Sequence, residues 1–427
     1  MGSTNRLMII SSDCHAIGRM TDFIPYMDLE YREEFEAFCK VHAERGEYSH
    51  EEGPLARRLA GADVEDWKRA VLEPERYQGV WDVDYRLKLM EQEGVCAEVL
   101  IPDFGLPWEL YDPGTMAALG YLPPERYQVR AGNAAYNRWL ADFVSAAPER
   151  FVGLSVVPFD DVDHAVDEIR KARASGLKGV MVPFFNEKRP PMALEFDPIW
   201  DVLEELDMPL CSHIALSGVL DRSWYVPTPH PASVGPIYRA AFIWNCQSLL
   251  DHLIWGGVFE RHPRLRVALT EQGSGWVPGK LAAMDHTYNH AYLNPAIREV
   301  VKKSPSEYFA QNCWIGSSLL GRAEVAAREQ IGIDKMMVGV DYPHHEGTWW
   351  GPNVDYLQAV FGPLGIPEAE ARMLLGENAA RCYEFDVAKL RPLVDRIGPE
   401  PEQILTPPTE DRFTRGDVVK PMMSSIQ

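Results

Sequence analysis

Four apolar runs in this chain end in side chains that can bind a metal ion or move a proton. The first ends in Asp13-Cys14-His15, another in Ser212-His213 and a third in Thr270-Glu271. The fourth ends in Asp341, followed by Tyr342-Pro343-His344-His345-Glu346-Gly347. Carboxylates and imidazoles converging on one point are the donor set of Zn, Mn or Fe ions. Along an extended strand, alternation turns Asp13 and His15 to one side and Cys14 to the other. A single His at a strand end is more often a structural hydrogen-bonder than a ligand. Four strand ends that each offer a ligand-type residue reverse that balance. Glu271 has three readings: a general base or orienting acceptor, a strand-end ion-pair partner, or a ligand. In the last case it would help His344 or His345 hold a second ion about 3.5–4 Å from the first. His344 and His345 lie on the loop beyond Asp341, where at least one could face a substrate.

Other candidates carry less weight. His262, in Arg261-His262-Pro263, reads as a turn histidine and His252 as a packed helix residue. His286 and His290 stand four apart without the His-Glu-x-x-His context of a helical zinc site.

The elements that must position these residues follow from the hydrophobic pattern. Strand-like runs recur at Leu7–Ser11, Cys96–Ile101, Phe151–Val157, Lys178–Val182, Met208–His213, Leu265–Thr270, Asn312–Ile315 and Lys335–Val340. Short, nearly continuous apolar runs suit parallel strands buried on both faces. Amphipathic stretches such as Val162–Ala174 separate them, with apolar positions three and four apart. Eight strands alternating with helices predict an α/β fold, a (β/α)8 TIM barrel, whose active site forms at the C-terminal ends of the strands. A doubly wound sheet is the weaker alternative, because no Gly-rich phosphate loop follows any run.

The barrel is expected over residues 1–386, with long insertions at 16–93 and 214–250, the second rich in aromatics (Trp224, Tyr225, His230, Tyr238, Phe242, Trp244). Residues 387–427, rich in Pro and charge, are expected as an extended C-terminal arm.

Composition excludes several partners. The 427 residues carry 42 basic and 63 acidic side chains, a net charge of −21. That balance argues against nucleic acid, whose binding needs phosphates neutralised by Lys and Arg, and against an anionic membrane surface. No run of about 18 apolar residues offers a bilayer span. The polar N-terminus lacks the pattern of a secretory signal, and seven scattered cysteines without a CxxC read as reduced thiols, so a cytoplasmic location is expected. The long insertions and arm favour a homo-oligomer, with pairing to a paralogue as an alternative.

Taken together, SSDCHAIG, KGVMVP, CSHI, FERHPRLRVALTEQGSGWVP, GVDYPHHEG and MLLGENAARCYEF resemble the amidohydrolase superfamily, in the branch related to aminocarboxymuconate semialdehyde decarboxylase and γ-resorcylate decarboxylase. The resemblance covers nearly the whole chain to about Asp386. It implies that Asp13 and His15 fill the first-strand ligand pair and that His213 is the fifth-strand ligand. It also implies that Asp341 both binds the metal and shuttles a proton. One position departs from the pattern. The decarboxylases carry a catalytic His after strand six, in an HxGE-like turn; Glu271 stands there, and Ser274 falls near their Glu.

The expected function is that of a metal-dependent hydrolase or C–C lyase of the decarboxylase type, acting on a small organic acid or amide. The cofactor is a divalent ion, zinc first with iron or manganese as alternatives, as one ion or two. The same donor set would also suit a non-heme iron or manganese oxygenase, and a non-catalytic subunit beside an active paralogue is a third reading.

Overall fold

The computed structural model describes residues 5–44, 76–103, 105–109, 122–185, 188–214, 216, 218–219, 234–290, 295–318, 320–344, 347–348, 353–409, 414–415 and 418–419. Eight parallel strands form one sheet in sequential order: β1 (Ile10–His15), β2 (Ala97–Ile101), β3 (Phe151–Val156), β4 (Gly179–Met181), β5 (Leu210–His213), β6 (Val267–Thr270), β7 (Cys313–Ser318) and β8 (Met336–Gly339). Seven of the eight agree with the apolar runs to within three residues at either end. The first begins three residues later than expected and continues through Asp13-Cys14-His15.

Strand β8 then returns to β1, and the sheet closes into the expected barrel. This seam has no regular ladder. Ser12 Oγ donates to Val338 O at 2.9 Å, and Val340 N donates to Ser11 Oγ at 2.9 Å. Beyond them Asp341 N donates to Asp13 O at 2.9 Å and His15 N to Tyr342 O at 2.6 Å. Two serine hydroxyls thus stand in for backbone pairs where the register of β1 shifts between Ser11 and Cys14.

Alternation sorts the strand residues into two buried layers. Ile10, Val99, Val152, Leu154, Met181, Cys211, Ala268, Trp314 and Met337 fill the barrel. Leu100, Phe151, Val180, Leu210, Val267, Leu269, Ile315 and Val338 point outward, under the helices. Those helices include α1 (Leu29–Glu44), α2 (Val83–Gln92), α3 (Arg126–Ser145), α4 (Val162–Ala174), α5 (Asp197–Leu206) and α6 (Val234–Trp255). Around the remaining strands lie α7 (Val277–Asn289), α8 (Pro305–Asn312), α9 (Asn353–Phe361) and α10 (Asn378–Tyr383). In the described parts of the two insertions, α2 and α6 are the helices of their own strand–helix units, so the added chain is shorter than the spacing suggested. Trp224, Tyr225 and His230 lie outside the described residues, and Trp244 is 48% exposed on α6.

The segment expected to be an extended arm is instead helical through Leu405. Helices α11 (Val387–Ile397) and α12 (Pro401–Leu405) bury Leu390, Val394 and Ile404. Leu390 and Val394 join the barrel-filling layer, and Leu7 N donates to Pro399 O at 2.8 Å, so α11 closes the end of the barrel away from the ligand-type residues. The prolines misled here. Pro399 lies between the helices and Pro401 opens α12, a position where a missing N–H costs nothing. The apolar spacing of Leu390, Leu393, Val394 and Ile397 was the better guide.

Gly339 shows how tightly the closing seam packs. A Cβ there would lie 2.7 Å from Asp13 Cβ and 3.0 Å from Ser318 Oγ. Gly339→Ala is expected to keep the barrel at a cost of about 1–3 kcal/mol, typical of overpacking. It should also push Asp13 out of line. Denaturant unfolding and a Mn²⁺ titration of the variant check this, and unchanged metal affinity would refute it.

Candidate metal centre

The same alternation that fills the barrel sets the site. Cys211 and Ala268 point inward, so His213 and Thr270, two residues on, do too; Met337, Gly339 and Asp341 repeat the pattern on β8. On β1, Asp13 and His15 face inward while Cys14 joins the outer layer, its Sγ 3.1 Å from Ser11 Oγ. Glu271, immediately after β6, and Asp341, two residues beyond β8, both have φ of 56°, in the left-handed region. Non-glycine residues there carry a backbone cost and gather at functional sites. The turn lifts both carboxyl groups over the rim.

Five of the expected residues meet. Asp13 Oδ1 is 3.4 Å from His213 Nε2 and 3.8 Å from His15 Nε2. Glu271 Oε2 is 3.3 Å from His213 Nε2, and Asp341 Oδ1 is 3.4 Å from His15 Nε2. The His15 and His213 rings stand edge to face, with centroids 5.1 Å apart. His344 joins from the β8 loop, with Nδ1 2.8 Å from Asp341 Oδ1 and Nε2 3.6 Å from Asp103 Oδ2. His345 lies outside the described residues.

The ring nitrogens show what the site is built to hold. His15 Nδ1 faces Pro102 O at 3.1 Å and His213 Nδ1 faces Ile214 O at 2.7 Å. Each backbone carbonyl accepts the Nδ1 proton, which leaves the Nε2 lone pair aimed at the carboxylates. Asp13 Oδ1 and His15 Nε2 are fully buried and make no hydrogen bond among the described residues. Two acceptors facing each other without a proton repel, and each buried orphan costs about 1–3 kcal/mol. A cation between them removes both penalties. Donors placed about 2.1 Å from a tetrahedral ion sit about 3.4 Å from one another, close to the separations seen here. The donor set therefore fits a divalent ion.

The electrostatics agree. Burial works to raise the Asp13 carboxyl, but His213 and then His15 outweigh it and hold the group down at about 2. Burial followed by the nearby Asp341 pushes Glu271 up to about 8. Burial works to lower His213 and His344, yet their carboxylate neighbours, Asp13 for one and Asp341 with Asp103 for the other, leave both raised. Metal-free, the site thus gathers protons where a cation would sit.

Other histidines stand apart. His262 is buried between Asp197 and Asp201, His252 Nδ1 lies 2.8 Å from Ser248 O, and His286 and His290 stack on exposed helix surface. The sequence reading missed two residues at the site. Asp103 follows β2 directly, in Ile101-Pro102-Asp103, a polar strand end like the four that were noticed. Ser318, the last residue of β7, donates to Asp13 Oδ2. Nothing in its residue type marked it. In the strand-six turn Ser274 N and Oγ both donate to Glu324, at 2.5 and 2.8 Å, so a carboxylate reaches this turn from beyond β7.

Comparison with known proteins agrees with this architecture. The chain is 26% identical over 314 residues to a γ-resorcylate decarboxylase of Rhizobium sp. (strain MTP-10005), covering 71% of this chain and 88% of that one. It is 26% identical over 324 residues to a 2-amino-3-carboxymuconate-6-semialdehyde decarboxylase of Dictyostelium discoideum, covering 72% and 78%. A 5-carboxyvanillate decarboxylase of Novosphingobium aromaticivorans, solved with bound manganese and a nitrobenzoic acid, superposes with a TM-score of 0.59 at 20% identity, over 88% of this chain and 97% of that one. The amidohydrolase family model matches residues 115–385, more than half of the sequence, and the chain belongs to that family.

Proposed function

We propose that this protein is a metal-dependent decarboxylase of a small aromatic acid. The carrying observation is the convergence of Asp13, His15, His213 and Asp341, with both Nδ1 atoms tied to backbone carbonyls and both Nε2 atoms turned to one point. In this reading those four residues hold one divalent ion, manganese or zinc, and Glu271 completes its surroundings from beside His213. The kinships support the lyase branch: relatives by sequence and by structure are named as decarboxylases, one with manganese bound.

The bound ion would supply positive charge to orient an acid and its ortho oxygen. The chain's own residues handle the proton. Loss of CO₂ requires one proton delivered to the ring carbon that bears the carboxylate. The C–C bond then breaks, its electron pair restores the aromatic ring, and CO₂ leaves. Asp341 is placed to hand over that proton, and His344 at 2.8 Å is placed to return one to it. Asp103 on the far side of the imidazole stabilises its charged form and fixes its plane. Proton delivery thus moves to the β8 loop, and the Glu at position 271 serves the ligand side.

Release of CO₂ from a panel of ortho-hydroxybenzoic acids, 2,6-dihydroxybenzoate among them, tests the assignment on Mn²⁺-loaded protein. Turnover of an amide panel with no CO₂ from any acid would overturn it. Asp341→Asn is expected to remain folded by circular dichroism and to lose all detectable turnover. His344→Gln should lower kcat by about 10²–10⁴, the usual worth of a general acid or base, with little change in KM. Metal uptake must displace the protons held on Glu271, raised to about 8, and on His213. Both groups bind metal only when deprotonated, so Mn²⁺ affinity should climb as pH rises and level off above about pH 8. Calorimetric titration in buffers of different ionisation enthalpy would read the protons released, and a pH-independent affinity would contradict the ligand assignment.

A further inference from the structure

We propose that Arg86 is a positioning residue of this centre, a buried staple that holds the ligands of the two closing strands in one register. Arg86 lies on α2, outside the barrel wall, and is 0% exposed. Its Nε donates to Glu98 Oε2 of β2 at 2.7 Å, and Glu98 is itself 2% exposed. One terminal nitrogen, Nη1, donates to the backbone carbonyl of His15 at 3.1 Å and to that of Gly79 at 3.4 Å. The guanidinium plane stacks on the Tyr342 ring, with Cζ 3.8 Å from its centroid. Tyr342 is anchored at its other end, where Oη donates to Arg76 O at 2.6 Å.

These contacts meet at the irregular closing seam of the barrel. Between β1 and β8 the regular ladder is replaced by serine hydroxyls and by two backbone bonds, one of them from His15 N to Tyr342 O. One guanidinium touches both residues of that last bond. His15 is one proposed ligand, and Tyr342 adjoins another, Asp341. A shift of β1 against β8 would move His15 Nε2 away from Asp341 Oδ1, now 3.4 Å apart. Displacements of that kind are the usual way a supporting contact governs metal affinity.

The chemistry also explains why the residue is Arg. Only a planar fork can bond a carboxylate with one edge, a carbonyl with another and stack on an aromatic face, and Lys can do one of these at a time. A buried ion pair whose only role is cohesion would be indifferent to that geometry, since Lys keeps the charge opposite Glu98.

The inference rests on the proposed metal centre, though not on the proposed reaction, because its test uses no substrate. Full-length protein stripped with chelator is titrated with Mn²⁺, and the visible spectrum of the Co²⁺-loaded form reports coordination geometry. Arg86→Lys is expected to bind Mn²⁺ at least tenfold more weakly and to alter the Co²⁺ spectrum. Glu98→Gln, which keeps the bonds from Arg86 to His15 and the stack on Tyr342, should lower the melting temperature and change affinity less than threefold. If Arg86→Lys does not fold, Tyr342→Leu removes the stacking surface, with the Oη bond to Arg76 O, and should give the same loss of affinity. Wild-type affinity and spectrum in Arg86→Lys, or in Tyr342→Leu where that variant replaces it, would overturn the proposal. Equal losses of affinity in Glu98→Gln and Arg86→Lys would overturn it too. Intact wild-type metal binding with no CO₂ release from any acid would leave the positioning role standing and remove only the decarboxylase reading.

Discussion

A group of carboxylates buried with lone pairs facing one another cannot persist without positive charge among them. Asp13, Glu271 and Asp341 gather around His15 and His213 at the rim of a barrel whose interior below them is apolar. In such surroundings, unpaired charge costs several kcal/mol, and the groups must either take up protons or share a cation. The raised Glu271 and the raised His213 are the proton solution to that constraint. A divalent ion is the other, and the Nδ1 anchors on Pro102 O and Ile214 O favour it, because they hold each Nε2 as an acceptor. The remainder of the fold can be read as the means of keeping this arrangement in place.

That burden falls unevenly. Strands β2 to β8 are laddered to one another, so His213, Thr270 and Ser318 have positions fixed by sheet register. Strand β1 meets β8 through two hydroxyls and a short run of backbone bonds, and the ends of both strands supply proposed ligands. A flexible seam under a metal site would give several ligand geometries of similar energy. Gly339 allows the backbones to approach there, and the Arg86 guanidinium ties the outer side of the same seam. Close packing on one side and a directional fork on the other leave little room for slippage.

Much of this was legible in the sequence because it depends on periodicity. Eight apolar runs of four to seven residues predict a parallel sheet, and each polar residue ending such a run is placed at the rim by alternation alone. Asp13, His15, His213, Glu271, Asp341 and His344 were readable on that basis, and so was the outward turn of Cys14. What the sequence hid depends on contacts between distant segments. Asp103 stood at a strand end, but its significance comes from His344, which lies far along the chain and meets it only when the barrel closes. Arg86 looked like any cationic residue on an amphipathic helix, and only the packing of α2 against β1, β2 and Tyr342 gives it a task. The C-terminal segment was misread because proline content outweighed apolar spacing. Its helices are stable by virtue of the open barrel end they cover, a partner that no local pattern reveals.

The carboxylate at position 271 answers to the same constraint. An imidazole on the strand-six turn can carry a proton to substrate, whereas a carboxylate in its place adds negative charge beside two others. Such a change is tolerable only where the added charge is matched, and here His213 lies 3.3 Å from Glu271 while Ser274 has taken a partner in Glu324. In the proposed reading the turn belongs to the cation-holding side of the site. The same reading places proton transfer at His344, the imidazole clasped between Asp341 and Asp103. Both strand ends that flank this division, at Glu271 and at Asp341, carry the same left-handed backbone turn. The same backbone turn, just beyond β6 and just beyond β8, thus brings both carboxyl groups to one ring of strand ends.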